Sequence, residues 1–133
     1  MTRPRRVQLR RTKGWRLPTN TVVVSRPSRW GNPITLDSDA VTQACAASGL
    51  DPENLADRHR MARRLFADYI VGLRKALPTR VAARLPKAPT PAEIHSALAG
   101  KNLACWCRPG LACHADVLLA IANGDAWIES PAK

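Results

Sequence analysis

The stretch LACWCRPGLACHADVLL, residues 103–119, holds three of the chain's four cysteines and divides into three kinds of backbone. Its beginning, with Asn102 before it, is a short apolar run of the kind a buried strand uses (102–106). The middle, CRPG, is turn chemistry. From about Cys113 the apolar positions Val117, Leu118 and Ile121 recur at helical spacing until Asn123-Gly124 stops them. Working backwards, TPAEIHSALAG (90–100) is a helix. Thr90 is its N-cap, Pro91 its first position, Glu93 completes a capping box, and Gly100 ends it. DPEN (51–54) reads as a helix start with Asp51 as cap and Pro52 at the first position. From Asp57 one apolar stripe follows, through Met61, Leu65, Phe66, Tyr69, Ile70, Leu73 and Leu77. Arg58, Arg60, Arg63, Arg64 and Arg74 largely occupy the remaining surface. TVVVS (21–25) is a β-branched strand bounded by Pro18 and Pro27, and VQLR (7–10) is a candidate short edge strand.

Strand, helices, strand, helix is the order of an α/β domain. The expectation is a small Rossmann-like domain with a short, mainly parallel sheet flanked by helices. Open parallel sheets take their ligands at the carboxyl ends of the strands. The loop after the first main strand, RPSRWGNP (26–33), and the loop after the second, CRPGLACH (107–114), should therefore meet at one sheet edge.

At 133 residues there is room for one core. Hydrophobic residues make up 45% against 23% charged, which excludes a disordered chain. The expected divisions are a basic arm over 1–17, a single domain over 18–128 and a tail over 129–133. The net charge is +11, from 21 Lys and Arg against 10 Asp and Glu. It favours anionic partners. No acid precedes Asp37, and RKALPTRVAARLPKAPTP (74–91) is a second basic stretch without one. Both read either as solvated surface or as phosphate-contacting segments. There is no apolar run after the first arginines, and VLLAIA (117–122) is too short to span a bilayer. The expectation is a cytoplasmic protein with no membrane partner and reduced cysteines.

In the first loop, Arg26 and Arg29 offer forked donors for a phosphate, and Ser28 and Asn32 offer neutral hydrogen bonds. Trp30 either stacks on a ligand or packs on the core. Gly31 permits a positive φ, and Asn32 is driven extended by Pro33. Arg108 adds a cation in the second loop. That loop has three chemical readings. Zinc has four acceptable ligands in Cys105, Cys107, Cys113 and His114, but the C-x-C-x5-C-H spacing is not a knuckle. A nucleophile at Cys113 would sit at a helix start, but adjacent helical residues point about 100° apart, which makes His114 a poor base for it. The third reading, which the expectation follows, packs the cysteines as small hydrophobes and leaves the helix amides to an anion. Asp116 then stabilises the first turn or positions a ligand hydroxyl. Trp15 and Trp127 should cover core edges, His59 and His95 should be exposed, and Cys45 should be buried on a short helix.

The segments RPSRWGNP and GKNLACWCRPGLACHADVLL together resemble domain-of-unknown-function family 4326, small proteins of bacteria and their phages. The resemblance rests on Arg26, Pro27, Ser28, Gly31, Asn32 and Pro33, then on Cys105, Trp106, Cys107, Cys113, His114 and Asp116. It covers about residues 20–124. Ser25 departs from it, standing where relatives often carry glycine. The resemblance implies that the two segments belong together and brings no reaction with it. The functional expectation is a nucleotide-type or other phosphorylated ligand bound between the loops by Arg26, Ser28, Arg29, Trp30, Gly31, Asn32 and Arg108. If the protein is an enzyme, His114 and Asp116 would act in transfer or hydrolysis on a nucleotide or nucleoside. The alternatives are a nucleic-acid-binding module using the arm and the Arg-rich helix, and a zinc-stabilised interaction domain.

Overall fold

The structure, a computed structural model, describes residues 3–71 and 85–127. The described elements are β1 (Arg6–Gln8), β2 (Thr21–Val23), α1 (Asp39–Ala47), α2 (Leu55–Val71), α3 (Pro91–Leu98), β3 (Asn102–Cys105) and α4 (His114–Ala122). The sheet has the order β1-β3-β2, and both outer strands run parallel to β3. Arg6, Val7 and Gln8 face Leu103, Ala104 and Cys105, while Thr21, Val22 and Val23 face Asn102, Leu103 and Ala104. This is a small parallel α/β domain. The apolar run Leu103-Ala104-Cys105 takes the centre because all three residues are buried there, as a strand flanked on both sides requires. Helix α4 packs on β3 and β1, α2 and α3 pack on α4, and α1 packs on α2.

The stripe of α2 forms the core as its spacing predicts: Met61, Leu65, Phe66, Tyr69 and Ile70 are all buried. Leu73, Leu77, Arg74 and most of the second basic stretch lie outside the described residues. The capping box of α3 is present, with Thr90 and Glu93 bonded reciprocally. Helix α1 carries the buried Cys45. No helix among the described residues is long and apolar enough to cross a membrane.

One expectation is corrected. Helix α2 does not begin at Asp51-Pro52. Asn54 holds its first turn, accepting from the Asp57 N–H through Oδ1 (3.0 Å) and from the Arg58 N–H through its carbonyl (3.0 Å). Asp51 accepts from the Glu53 N–H instead, closing a turn before the helix. Asx chemistry two positions apart looks alike in sequence, and the longer helix-compatible register lost. The candidate edge strand at 7–10 is present, beginning one residue earlier. Residues 6–8 are an edge strand, Leu9 donates to Cys105 (2.8 Å), and Arg6 reaches across to α4.

Arg58 is turned inward rather than outward. Its guanidinium donates to the carbonyls of Leu36, Ser38 and Pro52 and to the Thr42 hydroxyl. It thereby pins the loop that leads from β2 into α1, whose N-cap is Ser38.

Because β1 completes the sheet and carries Arg6, a chain lacking residues 1–8 is expected to lose about 3 kcal/mol or more of unfolding free energy. The lost strand pairing and charge-assisted hydrogen bonds set that scale. Urea denaturation checks it; a midpoint equal to the full chain's would show that this segment is only an arm.

Candidate functional site

All three strands are parallel, so β2 and β3 both deliver their following loops to one edge of the sheet. A cavity of about 210 Å³ opens there. Arg26 and Asn32 line it from the first loop, Cys105, Trp106, Cys107, Cys113 and His114 from the second, and His59 and Arg63 from α2. The expected convergence of the two loops is therefore present. Among the described residues, no aspartate or glutamate lines this cavity.

The first loop is two successive turns, Ser28 N–H to Ser25 O and Gly31 N–H to Ser28 O, both at 3.0 Å. They fold it so tightly that a Cβ at Gly31 would lie 2.8 Å from Arg26 Cγ and 3.0 Å from the Arg26 backbone. Glycine is required at 31 by this close approach. The expected positive φ is not the reason, since Gly31 is not among the glycines that adopt one. Arg26 Nη1 donates to the Asn32 carbonyl (2.8 Å), which holds the guanidinium against the loop. The Asn32 amide is used at both ends by the protein, donating to Ala62 O (3.2 Å) and accepting from the Ile34 N–H (2.9 Å). It fixes the loop against α2 while lining the cavity.

Arg29 does not line the cavity. It pairs with Glu93 at the start of α3 and lies over the Trp30 ring. Trp30 packs on the core. Ser28 lies outside the lining, its Oγ buried without a partner among the described residues. Arg108 is exposed, and its carbonyl accepts from Arg6 (3.1 Å).

Asp116 is the junction of the second loop. As the third residue of α4 it accepts from the Cys113 N–H (3.2 Å) and completes a capping box. It also accepts from Arg6 Nη1 (3.1 Å) and Arg63 Nη1 (3.0 Å). Arg6 Nη2 continues to the carbonyls of Arg108 and Pro109. Asp116 therefore binds β1, α2, the turn and α4 together.

Cys113 is the N-cap, with φ −147° and ψ 148°. Its extended backbone removes the helical 100° offset, and its sulfur lies 3.6 Å from His114 Nδ1. The expected geometric objection to that pair is thus overturned. His114 Nε2 donates to the Val24 carbonyl (2.8 Å), which leaves the Nδ1 lone pair facing Cys113. The ring meets Phe66 edge-on. Burial pushes the His114 pKa below its ordinary value.

Strand β3 ends at Cys105, and Trp106 turns outward, 47% exposed, with Arg11 over its ring at 5.0 Å. Cys105 and Cys107 thus point to the same side. The sulfurs of Cys105, Cys107 and Cys113 all lie within 4.8 Å of one another, close enough to hold a metal ion. Cys105 and Cys113 are in contact at 3.0 Å. Hydrogen bonds from the Cys105 and Cys113 thiols, helped by Arg6, hold Cys107 well below the ordinary thiol range. The bond to Cys107 pushes the Cys105 thiol up, and bonds to Cys105 and then to Cys107 push the Cys113 thiol up.

His59 belongs to the site, although its place among the arginines of α2 suggests exposure. Its Nδ1 meets Ala112 O at 3.1 Å, and it lines the cavity. The available signal is its position two residues before Met61, on the flank of the buried stripe. His95 stays exposed, with Nδ1 at Ala122 O.

Residues 7–124 match the family described as Domain of unknown function (DUF4326). No curated protein and no solved structure matches the chain.

Replacing Asp116 with Asn leaves the capping acceptor but removes the charge between two arginines. The carboxylate is partly solvated, so the expected loss is about 1–3 kcal/mol, below the range for a fully buried pair. Chemical denaturation at neutral pH measures it; an unchanged midpoint would remove Asp116 from its role as junction. A second expectation concerns pH. The fold prefers neutral His114, so its contribution is complete above the unfolded value of 6.5 and falls as pH drops below it. His114→Gln keeps an N–H for Val24 and cannot protonate, so its stability should decline less between about pH 7.5 and 5. Parallel declines would contradict this.

Proposed function

The chain belongs to the DUF4326 family, and we propose that the cavity between its two motif loops binds an anionic small molecule of the nucleotide or phosphorylated-sugar type. The observation that carries this reading is the lining: Arg26, Arg63, His59 and His114 surround the space, and among the described residues no carboxylate does. Arg26 is the leading phosphate partner. Its Nη1 is tied to Asn32 O, which orients the fork, and its Nε and Nη2 make no bond among the described residues. A pre-oriented guanidinium binds phosphate with less ordering cost than a mobile one.

The size is informative. About 210 Å³ is smaller than the roughly 300–1,000 Å³ of typical ligand pockets, so the cavity takes one moiety and leaves the rest outside. At its mouth stands Trp106, exposed and topped by Arg11, a surface on which a base can stack. The excess of basic residues draws anions toward this face. Asp116 and Asn32 act by holding the walls, and His114 stands beside the three thiols in the lining that would face the ligand.

A second reading concerns the thiols and is compatible with the first. The cluster of Cys105, Cys107 and Cys113 suits a soft divalent cation, zinc above all.

Calorimetric titration with inorganic pyrophosphate and with a panel of nucleoside diphosphates tests the anion reading. Arg26→Ala should weaken both classes by about tenfold or more, the scale of one lost charge-assisted bond. Trp106→Ala should weaken the nucleotides and leave pyrophosphate unchanged. Binding that ignores Arg26 would refute the proposal. Steeply salt-dependent binding of oligonucleotides that also ignores Arg26 would instead favour a nucleic-acid-binding module.

A further inference from the structure

We infer that a metal ion on the three thiols is a ligand-receiving centre, with its fourth position open to the cavity and filled by water or by an oxygen of the bound anion. This rests on the zinc reading above and goes beyond it, because a structural zinc site would be closed by four protein ligands.

The thiols are close to what a tetrahedral ion needs. With zinc–sulfur bonds of about 2.3 Å, neighbouring sulfurs stand roughly 3.8 Å apart. The mutual separations here are within 4.8 Å, with Cys105 and Cys113 at 3.0 Å, so small side-chain adjustments suffice. Cys105 is fixed at the end of the central strand and Cys113 by its place at the head of α4. Two of the three ligands therefore sit on regular elements rather than on a loose loop.

The fourth vertex lacks a protein donor in place. Among the described residues, no further histidine, cysteine or carboxylate joins the group within the same mutual distance. Asp116 is the nearest acid in sequence, and Arg6, Arg63 and the Cys113 N–H already occupy it. His114 Nδ1 comes within 3.6 Å of the Cys113 sulfur but does not join all three sulfurs at the shared distance. Its ring is held on one side by the Val24 carbonyl and on another by Phe66, both fully or almost fully buried residues. With Nε2 kept on that carbonyl, Nδ1 is the ring's free donor, and it stands outside the mutual distance that unites the three sulfurs. It stands instead beside a ligand sulfur, facing the cavity that all three cysteines also line. The remaining direction from the cluster is the cavity itself.

Charge supports an exogenous oxygen there. Three thiolates and a divalent ion carry a net −1. The Arg6–Asp116–Arg63 group, net +1, lies alongside and offsets it, and Arg26 adds a cation from the opposite loop. An anion can complete the coordination while its charge is met by Arg26. The ligand class is an oxyanion small enough to place one oxygen on the ion, which includes the phosphate of the proposed nucleotide.

Cobalt(II) loaded into the full, reduced chain tests this. The expected result is about one cobalt per chain, thiolate-to-cobalt charge transfer in the near ultraviolet, and visible bands that shift saturably when azide or inorganic phosphate is added. His114→Gln should give the same spectrum and the same azide response. Cys107→Ser, at the one ligand outside the regular elements, should lower the charge-transfer intensity by about a third. Visible bands that ignore azide and change in His114→Gln would identify a closed four-ligand site, overturning this inference while the zinc reading stands. Failure to retain cobalt or zinc after desalting would overturn both. A phosphate response lost in Arg26→Ala while the azide response persists would support the ion and the arginine acting on one ligand.

Discussion

The carboxylate of Asp116 is the contact on which the site's architecture rests. It joins Arg6 of the first strand, Arg63 of the longest helix and the N–H of Cys113 at the head of the last helix. Through Arg6 it also fixes the carbonyls of the turn between strand and helix. Three segments far apart in sequence, at residues 6, 63 and 113, are thus bound to one side chain. Their mutual position sets where Cys113 and His114 stand, and so the shape of the cavity wall. The two arginines neutralise the acid, so the carboxylate beside the cavity places no uncompensated negative charge on its wall.

The opposite wall is built by steric closeness rather than charge. Gly31 lets the loop press against Arg26, and the Asn32 amide ties that loop to α2. Arg58 fixes the segment that follows. The cavity is consequently framed by groups whose own hydrogen bonds are satisfied by protein. Arg26, His114 and the three sulfurs are the parts left facing a ligand. Such a division between framing and facing residues is the pattern expected of a preorganised site.

Much of this was legible in the sequence. The apolar run before Cys105, the β-branched run at 21–25 and the capping box at Thr90 and Glu93 each combine pattern with chemistry, and each became its element. Parallel pairing then brought the two motif loops to one edge. What could not be read depended on long-range partners. Whether Asn32 or Arg29 faces a ligand turns on Ala62 and Glu93, and sequence spacing does not reveal those contacts. His59 looked exposed because helical phase places a flank residue only approximately. Gly31 was legible as necessary, but for the wrong reason: steric approach and positive φ leave the same letter. The mutual reach of Cys113 and His114 depended on a cap residue's extended backbone, which helix geometry does not describe.

The order β1-β3-β2 has a consequence for how the molecule comes into being. Among the described residues, neither of the first two strands pairs with the other; each pairs with β3, whose residues follow Arg6 by almost a hundred positions. Until β3 is present, the residues before it can form helices but have no sheet to join. Assembly waits for residues 102–105, and those residues arrive just ahead of the cysteines. Closing such distant contacts is slow compared with local helix formation. The sheet and the thiol cluster are therefore made in the same late event, so a nascent chain does not display the site before it has the fold.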